Sequence, residues 1–182
     1  MGLIKKGVFV IYLMLLTNCS QDLLEENLTF ELLFDDSFQV VPDLSNDVTT
    51  KEYCVDIQTN FEVTLTGQNL TNQDIEAISL NEFKMEILDP QGESFNFLKS
   101  VFVYIETTDV PRLLIADRVN IAQNSINQLS LNLLDYDLKD YFLDQQVKLT
   151  FKLVTRNQPN NTCRVKFESV FEVDALIEEE GS

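Results

Sequence analysis

The chain has 182 residues, and its 30 acidic side chains against 13 basic ones give a formal net charge of −17 at pH 7. This charge argues against nucleic acid or an anionic membrane surface as the electrostatic partner. The absence of histidine excludes His-based triads and histidine metal ligands. A hydrophobic content of 45 % is enough for the core of one domain.

The amino terminus has the pattern of a secretory signal. Lys5 and Lys6 form a basic region, and the apolar run over residues 7–16 follows directly. That run is too short for a membrane-spanning helix, which needs about 20 apolar residues. We therefore expect residues 1–18 to be a signal peptide.

The end of this segment, Leu16-Thr17-Asn18-Cys19, resembles the lipobox of bacterial lipoproteins in a form typical of Bacteroidota. The resemblance implies that Cys19 is the lipid-attachment residue and the first residue of the mature chain. Ser20 stands where an aspartate would resemble an inner-membrane retention signal, so the outer membrane is the expected destination. Residues 20–26 weakly resemble the acidic export signal of surface lipoproteins, which favours the cell surface; a charged tether at the periplasmic face is the alternative.

Alternation of apolar and polar residues with period two dominates the rest of the chain and predicts strands. It runs through residues 53–65, 83–87, 129–133, 147–153 and 165–173, and shorter candidates lie at residues 28–34, 37–41 and 112–117. Residues 101–105 are apolar on both faces, which is typical of a covered central strand. These segments make about nine strands, enough for two packed sheets.

Two segments break the alternation. Residues 72–78 and residues 135–142 predict short helices, with Asn72 and either Asp135 or Asp137 as plausible N-caps.

We therefore predict an all-β fold: a two-sheet antiparallel β-sandwich of Ig-like or Greek-key type with two short helices. Residues 19–27 form the lipidated N-terminus and tether, residues 28–177 the sandwich, and residues 178–182 an acidic tail. The layout, with Phe97-Leu98-Lys99-Ser100 leading into a strand, also resembles small uncharacterised Bacteroidota lipoproteins, a group that offers no assigned activity.

If Cys19 carries lipid, two cysteines remain, Cys54 and Cys163. The expected compartment is oxidising, and two cysteines are the number that a single disulfide needs. We expect Cys54 and Cys163 to form that bond. One observation opposes it, because Cys54 shares strand parity with polar Asp56 whereas Cys163 shares parity with apolar Val165. The bond then requires a bulge near a strand end.

Four aspartates, Asp135, Asp137, Asp140 and Asp144, form the densest set of oxygen ligands. An EF-hand loop that began at Asp135 would need glycine at its sixth position and glutamate at its twelfth, where this chain has Asp140 and Gln146. Helix capping and a solvated helix face explain these residues better than calcium does.

The chain contains none of the G-x-S-x-G, S-x-x-K, Gly-rich phosphate-loop or C-x-x-C motifs. We therefore expect no enzyme activity, no catalytic residue and no cofactor or metal. The expected function is that of an outer-membrane lipoprotein that acts as a non-enzymatic binding or scaffolding subunit with a protein partner in the envelope. The alternative is a cell-surface module that binds glycan or calcium.

Replacement of Cys19 by alanine is expected to move the protein from the membrane to the soluble fraction. Lipid chains contribute about 0.8 kcal/mol per buried CH₂ group, and no other segment of the sequence is apolar and long enough to replace them. Cell fractionation with immunoblotting measures the change, with Ser20→Ala as the control that stays in the membrane. A Cys19→Ala protein that remains in the membrane pellet after a salt wash would show that lipid is not the anchor.

Overall fold

The computed structural model describes residues 25–42 and 49–178, so the predicted signal peptide, Cys19 and most of the acidic tail lie outside the described residues. The strands are β1 (Glu25–Val40), β2 (Thr50–Gln58), β3 (Ile75–Asp89), β4 (Leu98–Glu106), β5 (Leu113–Arg118), β6 (Gln128–Ser130), β7 (Asn132–Leu133), β8 (Gln146–Thr155) and β9 (Cys163–Glu178). The helices are α1 (Phe61–Gly67), α2 (Lys139–Phe142) and a 3₁₀ helix, Phe95–Phe97. In this part of the chain no helix has the length and hydropathy that a membrane crossing requires.

The strands form two antiparallel sheets. One has the order β1-β9-β3-β6 and the other the order β2-β8-β4-β5-β7. The chain changes sheet at every connection except those between β4 and β5 and between β7 and β8. This strand order is the jelly-roll form of a Greek-key sandwich. The predicted two-sheet antiparallel sandwich is confirmed, and its strand order is that of a jelly roll rather than that of the Ig fold.

The period-two pattern sets which side chains face the core. In β9 the buried side chains are at odd-numbered positions from Cys163 to Ala175, and the even-numbered ones between them face outward. Strand β4 is the middle strand of the five-stranded sheet, as the doubly apolar run over residues 101–105 predicts, but its outer face is only partly covered. Its Val101, Val103 and Ile105 are fully buried, whereas Phe102 and Tyr104 are half-buried on the outer face.

The strand predicted over residues 53–65 is wrong in its second half, because β2 ends at Gln58 and α1 begins at Phe61. Phe61 and Leu65 are both buried, and their spacing of four fits one face of a helix as well as one face of a strand. Val63 decides between the two, since it would share their face in a strand and is 73 % exposed in the helix.

The helix predicted over residues 72–78 is also wrong. The carboxylate of Asp74 accepts hydrogen bonds from the backbone N–H and the hydroxyl of Thr71, at 2.6 and 2.8 Å, and closes a turn there. Strand β3 then begins at Ile75. Asp and Thr side chains that bind nearby backbone groups in this way compete with helix formation.

The helix predicted over residues 135–142 is confirmed only at its end, as α2. The residues before it bind β3 instead: the Leu138 N–H donates to the Ile78 carbonyl at 2.7 Å, and the Asp137 carboxylate accepts from the Ile78 N–H at 3.0 Å. Asp137 also accepts from the N–H of Lys139, the first residue of α2, at 3.0 Å. Strand β6 pairs only with residues 84–86 of β3. The bonds from Asp137 and Leu138 cover part of the β3 edge that β6 does not reach.

The sandwich begins earlier than predicted. Glu25 pairs with Glu178, so residues 25–27 belong to β1 and not to the tether, and Glu178 is the last residue of β9 and not the first of the tail.

Phenylalanines join the two sheets at the centre of the core. The ring of Phe151 on β8 lies 4.9 Å from that of Phe167 on β9, 6.0 Å from that of Phe83 on β3 and 4.6 Å from that of Phe38 on β1. All four side chains are buried. Aromatic pairs of this kind contribute about 0.5–1.5 kcal/mol each beyond the burial of their area.

Truncation of Phe151 to alanine is expected to lower the free energy of unfolding by about 3–5 kcal/mol, because it opens a cavity between the sheets. Val63→Ala, which truncates an exposed side chain of α1, should change it by no more than about 0.5 kcal/mol. Urea unfolding of both variants in the purified Cys19→Ala chain measures the difference. Equal effects of the two substitutions would contradict the core described here.

Candidate functional site

The outer face of the five-stranded sheet is built from side chains that alternate with the core residues. Strand register places them in three rows across the sheet: Cys54, Thr150, Tyr104 and Leu114; then Glu52, Lys152, Phe102, Asp117 and Asn132; then Asp56, Lys148 and Glu106. We call this surface, together with Arg112, the aromatic face.

Arg112 contacts both Tyr104 and Glu52 at the centre of the aromatic face. Its guanidinium carbon lies 4.0 Å from the centroid of the Tyr104 ring. Its two terminal nitrogens donate to the two carboxylate oxygens of Glu52 at 3.2 and 3.1 Å. The hydrogen bond from Arg112 lowers the pKa of the Glu52 carboxyl, and the same bond raises the pKa of Arg112. The planar guanidinium thus bridges a carboxylate and an aromatic ring, which lysine could not do in this geometry.

Two further acidic side chains of this face, Glu106 and Asp117, also have polar partners. Lys148 lies 3.2 Å from Glu106, and that hydrogen bond raises the pKa of Lys148. The amide of Asn132 donates to Asp117 at 3.1 Å and accepts from Arg118 at 3.3 Å. The aromatic face is therefore nearly balanced in charge, although the whole chain carries −17.

Apolar side chains lie between these charges and remain open to solvent. Phe102, Tyr104, Leu114 and Val154 are each partly exposed. Thr150 belongs to the same row but is only 1 % exposed. The result is an apolar strip with charged margins.

The disulfide predicted between Cys54 and Cys163 is wrong for this structure, in which both thiols are free. Cys54 is exposed on the aromatic face with its sulfur 3.6 Å from the Thr150 hydroxyl. Cys163 is fully buried between the sheets, and its thiol donates to the Asn161 carbonyl at 3.4 Å. The difference in strand parity noted from the sequence thus places the two sulfurs on opposite sides of the five-stranded sheet.

The four aspartates at residues 135–144 do not form a calcium site. The carboxylate of Asp137 is occupied by the backbone N–H groups of Ile78 and Lys139. Among residues 25–42 and 49–178, no three Cys, Asp or Glu side chains are grouped to hold a metal ion.

A pocket of about 390 Å³ lies at one end of the sandwich, between the β2–α1 and α2–β8 connections. Thr59 ties these connections together, because its N–H donates to the Gln145 carbonyl and its hydroxyl to the Asp144 carbonyl, both at 3.0 Å. Exposed carboxamides line the pocket, from Gln58, Asn60, Asn72 and Gln145. Exposed Val63 and Leu143 add apolar surface beside them.

No protein-family model matches this sequence, and no curated protein matches it. Solved structures that match include a chain of Desmodium yellow mottle tymovirus and one of turnip yellow mosaic virus determined at 100 K. The Desmodium virus chain is 14 % identical to this chain, and the match covers 84 % of this chain and 92 % of the viral one. The turnip virus chain is 12 % identical, and the match covers 83 % of this chain and 98 % of the viral one. Both TM-scores are 0.27, so neither chain carries an argument about fold or function here.

Iodoacetamide at pH 8 is expected to modify Cys54 and to leave Cys163 unmodified in the folded, purified Cys19→Ala chain. The thiolate is the reacting species, and burial raises the pKa of the Cys163 thiol to about 11. Peptide mass spectrometry should find Cys163 modified only when denaturant is present. Equal modification of both thiols in the folded protein, or an intact mass two hydrogens below that of the dithiol, would contradict this placement.

Proposed function

We propose that this protein is a non-enzymatic lipoprotein of the outer membrane that binds a partner protein of the envelope through its aromatic face. The observation that carries the proposal is the strip of half-buried Phe102 and Tyr104, with Arg112 fixed on the Tyr104 ring and paired charges around it. Protein interfaces favour this composition, with aromatic residues and arginine at the centre and charged residues at the rim.

The size of the aromatic face supports a protein ligand. Four main strands about 4.8 Å apart, each rising about 3.4 Å per residue, make a surface of roughly 20 by 30 Å. With the relief of the side chains, that approaches the ~800 Å² per partner of a standard protein interface.

The rigidity of the aromatic face supports tight binding. Arg112 already holds the Tyr104 ring, and Glu52 holds Arg112, so these side chains lose little conformational freedom when a partner docks. Glu52 and Glu106 are already paired within the face, with Arg112 and Lys148, so the partner does not have to supply opposite charges for these two carboxylates.

The predicted anchor supports a partner in the same membrane layer. Strand β1 begins at Glu25, six residues after Cys19. A chain of that length reaches at most about 20 Å. A lipid on Cys19 therefore keeps the sandwich close to the membrane surface.

Tyr104→Ser is expected to reduce the partner protein that co-purifies with the lipoprotein from native membranes by about 30-fold, which corresponds to about 2 kcal/mol at an interface hot spot. Quantitative mass spectrometry after mild detergent extraction measures the amount. Val63→Ser, which changes an exposed apolar residue at the end of the sandwich, is the matched control and should retain the partner. Circular dichroism melting of both variants separates loss of binding from loss of folding.

Retention of every co-purifying protein by a folded Tyr104→Ser variant would overturn the proposal. Loss of the same proteins in the Val63→Ser control would do so as well, because binding would then not depend on the aromatic face.

The pocket at the end of the sandwich favours a second candidate function, the binding of a glycan. Carboxamides donate and accept hydrogen bonds with sugar hydroxyls, and Val63 and Leu143 can pack against the apolar side of a sugar ring. Binding of purified surface polysaccharide that is lost in Asn60→Ala and Gln145→Ala but kept in Tyr104→Ser would support this function instead.

A further inference from the structure

Strand β1 is the outermost strand of the four-stranded sheet. Its 16 residues pair with β9 from Glu25 opposite Glu178 to Val40 opposite Cys163. No strand among the described residues pairs with its other side. Backbone N–H and C=O groups along that side are therefore available to another strand. We call this side of the strand the β1 edge.

Apolar side chains on the inner side of the β1 edge are partly exposed to solvent. Leu28, Phe30 and Phe34 pack against the core but are only half-buried. The inward side chains of the interior strand β9, such as Phe167 and Phe171, are at most 2 % exposed. The edge position explains the difference, since β9 has a neighbour on each side and β1 has only one. Apolar side chains of an added strand would complete the cover over these residues.

The outer side of the β1 edge carries more carboxylates than basic side chains. Register places Glu31 directly opposite Glu172 and Asp35 directly opposite Glu168, and like charges in such positions repel. Lys166 bridges Asp35 and Glu168 at 3.2 and 2.6 Å.

No basic side chain among the described residues forms an ion pair with Glu31 or Glu172. Leu33, which lies between the two acidic rows, is 72 % exposed.

We propose that the β1 edge binds an extended segment of a partner protein in which basic and apolar residues alternate. The segment adds a strand beside β1, with its apolar side chains over Leu28, Phe30 and Phe34 and its basic side chains beside Glu31 and Asp35. Main-chain hydrogen bonds supply affinity in this mode of recognition, and alternate side chains supply specificity. This site goes beyond the proposed function, because it stands on residues that the aromatic face does not contain.

A second copy of this chain fits the β1 edge less well than a basic segment does. Antiparallel self-pairing centred on Leu33 would place Glu31 of each copy opposite Asp35 of the other, so carboxylates would face each other. Asp36 shares the inward parity of its partner Phe167 yet is exposed. Inward-facing charges on edge strands are a known device against self-pairing.

The experiment uses the purified Cys19→Ala chain and three synthetic peptides of about nine residues. One alternates lysine and valine, one alternates glutamate and valine, and the third is the lysine–valine peptide with every second backbone amide N-methylated. Calorimetry measures affinity, and hydrogen–deuterium exchange with mass spectrometry measures protection of residues 27–40.

The lysine–valine peptide is expected to bind at least about tenfold more tightly than either control and to slow exchange in β1. The Glu31→Gln/Asp35→Asn variant should weaken that binding about tenfold at low salt. Asp56→Asn, on the other sheet, is the matched control and should leave it unchanged.

Several results would overturn the inference: no binding of the lysine–valine peptide, equal binding of its N-methylated form, or protection of β1 that grows with protein concentration alone, which would make a second copy the occupant. Tyr104→Ser should still bind the peptide. The experiments can therefore reject the proposed binding at the aromatic face and the proposed binding at the β1 edge independently of each other.

Discussion

The contact of Phe151 with Phe83 and Phe167 is the interaction on which the sandwich depends, because it joins the second strand of the five-stranded sheet to the two middle strands of the other. Successive side chains of a strand point to opposite faces. Once Phe151 faces the core, Thr150 and Lys152 must face outward. The composition of the aromatic face therefore follows from the same register that packs the phenylalanines.

The sequence predicts a strand correctly where apolar and polar residues alternate over many positions. It fails where the spacing of the apolar residues is compatible with both a helix and a strand. Strand β9 follows directly from its pattern, but Phe61 and Leu65 satisfy a helix and a strand equally. The disulfide follows from counting cysteines, whereas the parity of Cys54 already opposed it. The aromatic face could not be predicted, because its residues come from separate segments and Tyr104 looks like core until β4 is known to have an open outer side.

The two sheets distribute the charge of the chain unequally. On the five-stranded sheet, acidic and basic side chains pair around an apolar strip. On the four-stranded sheet, carboxylates lie opposite carboxylates at the β1 edge. A flat, charge-balanced surface suits a folded partner, and an open acidic edge suits a basic extended segment. The two proposed sites therefore lie on different sheets and differ in the kind of partner that they would bind.

Hydroxyl-radical footprinting of the protein in native membranes, compared with the purified protein, tests the proposed binding at the aromatic face most directly, because it reports side-chain exposure without any substitution. Partner binding at the aromatic face predicts that oxidation of Tyr104 and Phe102 falls several-fold in membranes while that of Val63 is unchanged. Equal oxidation of Tyr104 in both preparations would contradict the account, since the aromatic face would then be as open in the envelope as it is in isolation.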